Sequence, residues 1–182
     1  MGIRKSTLTI AGLMLLATQA CSGTSHTGTA PVTTAPGTTQ TTATIALTSS
    51  AFANQGDIPA AYTCDAQGSA VSPPLSWSGV PKGTGWLALY VYDNTGNVLH
   101  WIVVNLKPTE TGIGAGQLGG GVEVANYLPM CPGDGNSDQY EFTLFAEPAS
   151  YHLSKIGPSY AVDPDALTAH ALGIGTLFGI YH

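Results

Sequence analysis

Trp86-Leu87-Ala88-Leu89-Tyr90-Val91-Tyr92-Asp93 and Trp101-Ile102-Val103-Val104-Asn105-Leu106 decide the fold class of this chain. Both runs are nearly continuous in apolar, β-branched and aromatic residues, the pattern of central strands buried on both faces. Between them lies Asp93-Asn94-Thr95-Gly96-Asn97, whose residue types favour turns. Working outward, strands are expected at 45–48, 75–77, 140–146 and 176–181. Turn chemistry such as Val80-Pro81-Lys82-Gly83 and Pro132-Gly133-Asp134-Gly135-Asn136 punctuates the chain. One helix is predicted: Asp163 caps it, Pro164 fits its first position, and it continues through Leu172 until Gly173. The class is mostly β with a late helix, and residues 46–182 form one domain of 137 residues.

Charge is scarce. Of 182 residues, five are Lys or Arg and eleven Asp or Glu, a charged fraction of 9%; about a quarter is usual in soluble domains. Two of the basic residues, Arg4 and Lys5, sit at the N-terminus, so beyond them three Lys face eleven acids, a net of −8. That balance excludes a phosphate-reading nucleic-acid binder and a basic membrane-surface face.

The N-terminal region reads as an address. Met1 to Lys5 are a positive n-region, and Leu8 to Ala20 an uncharged run of thirteen residues. That is shorter than the roughly twenty residues a spanning helix needs, and it suits a secretory signal. Residues 1–20 are therefore read as a signal peptide. Cys21 follows the small residue Ala20 and resembles the cysteine of a bacterial lipobox, although Thr18 and Gln19 depart from the usual pattern. The alternative is an ordinary cleaved signal. Lipidation at Cys21 places the protein on the extracytoplasmic face of the cell membrane, because two acyl chains anchor stably. Residues 21–45 hold the lipidated cysteine and a linker; ten Thr and no charge lie between 22 and 45, too polar to fold.

Cys64 and Cys131 remain. Outside the cytosol disulfides persist, and a bridge closing this loop contributes about 4 kcal/mol on the chain-entropy model; two separate thiols are the alternative. Gly114-Ala115-Gly116-Gln117-Leu118-Gly119 matches a dinucleotide-binding spacing, but Gly120 and Gly121 follow where a helix is required, so it is read as a loop. The five His are isolated, without zinc-ligand spacing. No cofactor is implied.

Ile58-Pro-Ala-Ala-Tyr62-Thr-Cys64-Asp65, Ser72-Pro-Pro-Leu-Ser-Trp77, His100-Trp-Ile-Val-Val-Asn105, Pro129-Met-Cys131-Pro132 and Tyr140-Glu-Phe-Thr-Leu-Phe-Ala146 occur in that order. The series resembles the phosphatidylethanolamine-binding protein family, in its bacterial Raf kinase inhibitor-like branch, from about Phe52 to Tyr181. The resemblance implies a central antiparallel sheet with a smaller second sheet and one or two peripheral helices. It also implies a small anion-binding pocket at one end, non-catalytic, in which Asp93, His100, Pro129 and Tyr140 occupy the family's positions. In that pocket His100 and Tyr140 are expected to donate to the ligand, Pro129 to shape the wall and Asp93 to orient His100.

Three departures qualify the carry-over. The family's Asp-Pro-Asp-x-Pro loop is Asp93-Asn94-Thr95-Gly96-Asn97, Leu128 replaces the Gly before Pro129, and Asp138 stands where a second His is expected. A carboxylate can only accept hydrogen bonds, so Asp138 weakens phosphate binding. Asp93, His100 and Asp138 together also form a ligand mix suited to a divalent cation, against which stands an Asp138 that merely forms a turn. The expected function is a membrane-anchored binding protein for a small polar or anionic ligand. The alternative is modulation of a protein partner, such as a kinase or protease, by surface docking.

Overall fold

The computed structural model describes residues 41–133 and 135–182. The signal segment, Cys21 and the linker up to residue 40 lie outside the described residues. Among the described residues, twelve strands and one α-helix follow in order. They are β1 (Ala43–Thr44), β2 (Ala46–Thr48), β3 (Gly56–Asp57), β4 (Leu75–Ser78), β5 (Thr84–Asp93) and β6 (Val98–Leu106). Then come β7 (Gly112–Ile113), β8 (Val122–Ala125), β9 (Asp138–Pro148), β10 (Lys155–Ile156), β11 (Ser159–Tyr160), α1 (Pro164–His170) and β12 (Gly173–Tyr181).

The long apolar runs lie side by side in a large sheet of order β1-β12-β9-β5-β6-β8. Its central pairings are antiparallel. At the β12 edge, however, β1 and β3 each pair parallel with β12, so the sheet is mixed rather than purely antiparallel. Ala43 and Thr44 thus already belong to the domain and Ile45 is buried, so the fold begins within the stretch read as linker. A three-stranded sheet β2-β4-β7 covers one face of the large sheet, and β10-β11 form a separate hairpin.

Two cores result. The larger lies on the face toward the small sheet, where Leu47, Leu75 and Trp77 meet Leu87, Leu89, Val91, Trp101, Phe142 and Leu144. Burying each large side chain there is worth about 1.5–3 kcal/mol relative to exposure. The smaller core lies under α1, where Leu167 and Ala171 pack on Trp86, Ala88, Ile102, Val104 and Phe145.

The helix starts as its residues require. Asp163 accepts from the Asp165 amide at 3.0 Å, and Pro164 opens the first turn. It stops at His170, two residues before the expected end, because the Leu172 amide is committed to the Ala146 carbonyl and the Leu172 carbonyl to the Ala43 amide. Sheet pairing wins over another turn of helix. Gly114–Gly119 is loop between β7 and β8, with Gly116 and Gly119 at positive φ.

Candidate ligand pocket

Strands β5, β6 and β9 deliver Asp93, His100, Asp138 and Tyr140 to one end of the large sheet, all buried at 3, 4, 7 and 0% exposure. Asp93 ends β5 directly opposite Tyr140 of β9. Its Oδ1 accepts from the backbone N–H groups of Thr95 and Gly96, both at 2.8 Å, so the carboxylate closes its own turn. Gly96 is required there, since a Cβ would stand 2.5 Å from Asp93 Oδ2. The turn is tied across to β9 by Asn94 N–H to the Gln139 carbonyl and Gln139 N–H to Thr95 Oγ1.

His100 reaches the same place through a β-bulge. Val91 stands opposite Trp101, but the next residue, Tyr92, stands opposite Leu99, so His100 is the extra residue on β6. A bulge of this kind re-aims a side chain that strict alternation would send to the other face. Trp101 enters the larger core, with its indole N–H donating to Glu123. The His100 ring turns to the same side and meets Tyr140 edge-on, with centroids 5.0 Å apart and planes at 85°. Its Nδ1 lies 2.8 Å from the Leu128 carbonyl, while the Leu128 amide donates to the His100 carbonyl at 2.7 Å. A carbonyl only accepts, so Nδ1–H donates here and Nε2 is left uncommitted. Leu128, not the expected Asp93, therefore orients the ring.

The Tyr140 hydroxyl is buried without a hydrogen-bond partner. The Cys131 amide acts on its oxygen, and the O–H proton finds no acceptor. Burial first, then the Asp93 and Asp138 carboxylates, hold its pKa well above that of an ordinary tyrosine. The phenol is thus a proton-bearing donor facing negative charge. Asp138 opens β9 and is buried, so it is a strand residue and does not merely form a turn. It lines a cavity of about 310 Å³ together with Thr95, Gly96, Gly133 and Asn136. Asp138 joins the two features, bordering the cavity and acting on the Tyr140 hydroxyl.

The segment before β9 is pinned from below. Cys64 and Cys131 form a disulfide with Cα atoms 5.4 Å apart. Thr63 bridges to Met130, and the Tyr127 hydroxyl donates to the Tyr62 carbonyl at 2.6 Å. Tyr181 at the end of β12 donates to Asp65. Pro129 is half-buried between the Leu128 clamp on His100 and the fully buried Met130, and it is not part of the cavity wall.

A family model for phosphatidylethanolamine-binding protein matches residues 48–182. The chain belongs to the phosphatidylethanolamine-binding protein family. A UPF0098 protein of Methanothermobacter thermautotrophicus is 36% identical over 146 residues, 72% of this chain and 94% of that one. Among solved structures, a putative phosphatidylethanolamine-binding protein homologue from Chlamydia trachomatis matches with TM-score 0.63 and 30% identity, covering 76% of this chain and 97% of that one. YbcL of E. coli, described as a member of the mammalian family, gives TM-score 0.64 and 25% identity over 77% of this chain and 99% of its own.

Within this phosphatidylethanolamine-binding protein fold, the structure brings Asp93, His100, Asp138 and Tyr140 together and leaves Pro129 beside them. Sequence reasoning missed the Leu128 carbonyl, because a backbone acceptor carries no side-chain signature. Among the described residues no group of three or more His, Cys, Asp or Glu is placed to hold a metal ion.

Proposed function

We propose that this family member is a non-catalytic, extracytoplasmic binding protein, held to a membrane by lipid on Cys21, that takes a small polar or anionic ligand between His100 and Tyr140. The observation that carries the reading is the Tyr140 hydroxyl, a buried donor with no partner. Leaving such a group unsatisfied costs about 1–3 kcal/mol, which a ligand acceptor recovers. His100 stands edge-on beside it with Nδ1 already committed to Leu128, so Nε2 is the nitrogen left for the ligand. The Asp93 and Asp138 carboxylates both act on the Tyr140 hydroxyl, so a ligand carrying an ammonium beside its anionic group suits the site better than a bare phosphate. Tyr140 is fully covered, and Asp138, which acts on its hydroxyl, lines the neighbouring cavity.

The test is thermal shift with O-phosphorylethanolamine and with orthophosphate. The reading expects a saturable rise in melting temperature with the first, a smaller one with the second, and neither in folded His100→Ala or Tyr140→Phe. An unchanged melting temperature with both compounds, or a rise that survives in both variants, contradicts it. The anchor is tested separately by mass spectrometry of the membrane fraction. A diacylated peptide beginning at Cys21 supports it, and release of the protein in unmodified form refutes it.

A further inference from the structure

On the opposite face of the large sheet lies a second and larger cavity, of about 490 Å³. This size falls within the range of small-molecule sites. It has no residue in common with the cavity beside Asp138. Strand register builds it. Tyr92, Glu141 and Phe178 form one cross-strand row, and Tyr90, Thr143 and Thr176 the next. The helix α1 covers the neighbouring part of this face through Leu167 and contributes Pro164 and Thr168 to the cavity rim. The two rows beyond it are left as floor and wall.

The chemistry of that floor is selective. The Tyr90 and Tyr92 rings stack at 6.0 Å with planes 24° apart, offering a continuous aromatic surface. Glu141 stands opposite Tyr92, and its two oxygens are each held by a neutral donor, Asn94 Nδ2 and Thr143 Oγ1, both at 2.9 Å. These bonds fix the carboxylate without neutralising it, and among the described residues no Lys, Arg or His pairs with it. An anionic ligand is repelled by this group. A neutral apolar one strips water from a carboxylate and gives nothing back, which is costly. An organic cation satisfies both halves, its charge meeting Glu141 and its alkyl groups lying on the tyrosine faces.

We propose that the cavity between α1 and strands β5, β9 and β12 binds a small organic cation of the ammonium class, with Glu141 as counter-ion and Tyr90 and Tyr92 as the aromatic wall. It is a second site, independent of the His100–Tyr140 pocket and of any ligand bound there.

The experiment is a titration of the ¹⁵N-labelled protein with tetramethylammonium chloride, alongside tert-butanol as a neutral probe of similar shape and sodium chloride at matched ionic strength. The expected result is saturable amide shifts at Tyr90, Tyr92, Glu141, Thr143 and Thr176 with tetramethylammonium only, in the millimolar range, while His100 and Tyr140 stay put. Glu141→Gln, checked for a folded spectrum, is expected to weaken the effect about tenfold. Equal response to tert-butanol, shifts that track ionic strength alone, or shifts centred on His100 would overturn the proposal. The comparison of probes on the unmodified protein decides the matter even where the variant does not fold.

Discussion

His100 and Tyr140 meet edge to face, 5.0 Å between ring centroids, although they come from β6 and β9 with β5 running between them. The contact exists because the bulge at His100 turns its ring out of the strand's alternation and toward the face on which Tyr140 is buried. The bulge therefore belongs to the site as much as the two side chains do.

Tyr140→Phe removes a buried hydroxyl that has no partner, so the ligand-free protein is expected to gain stability. About 1–3 kcal/mol is the cost of such a group, which corresponds to a melting temperature a few degrees higher. Calorimetry of the two proteins checks this. A clear loss of stability would mean that the hydroxyl has a structural partner.

Gly96→Ala is expected to destabilise. The added Cβ meets Asp93 Oδ2 at 2.5 Å, and that carboxylate cannot swing away without giving up the Thr95 and Gly96 amides. A loss of about 1–2 kcal/mol is expected, comparable to losing a helix cap, measured by urea unfolding. The double variant with Asp93→Ala should lose little more than the worse single one, because both act on one turn.

Glu147 gives the pH dependence a definite sign. It is fully buried in β9, neither carboxyl oxygen has a partner, and burial pushes its pKa up from 4.5 to about 7. Between those values the folded state holds a proton that the unfolded chain has released, so stability falls as pH rises. The contribution is complete below about pH 4.5 and gone above about pH 7, on the order of 3 kcal/mol. Denaturant unfolding from pH 5 to 8 should show the decline, and Glu147→Gln should flatten it. A stability that rises over this interval and is unchanged by the variant contradicts the burial argument.

The Cys64–Cys131 bridge closes a loop that includes β4 to β8. Its removal by Cys64→Ser with Cys131→Ser is expected to cost about 4 kcal/mol, read from denaturant midpoints. The Thr63–Met130 bridge should lose hydrogen-exchange protection first, because it adjoins the lost tether.

The strands that build the site were legible because their signal is long. Residues 86–93 and 101–106 are apolar enough to declare burial on both faces, and both lie within observed strands. Gly56–Asp57 and Gly112–Ile113 were not, since two residues carry no periodicity and exist as strands only through the neighbours they pair with. The parallel edges of the large sheet were hidden for the same reason. Asp163 and Pro164 announced the start of α1, while its end was set by a long-range bond from Leu172 to Ala146 that no local residue encodes. At the site, side-chain identities were readable and geometry was not. Asp93 could be named, but its commitment to its own turn, and that of His100 to a backbone carbonyl, depend on a bulge and on Leu128 lying 28 residues away.

The central claim is that His100 and Tyr140 form a ligand site, and nitrogen NMR of the His100 ring during titration with O-phosphorylethanolamine tests it most directly. The expected result is a saturable shift of His100 Nε2, with Nδ1 still bonded to Leu128, that disappears in Tyr140→Phe. A ring spectrum that stays constant while the compound binds elsewhere, or does not bind at all, contradicts it.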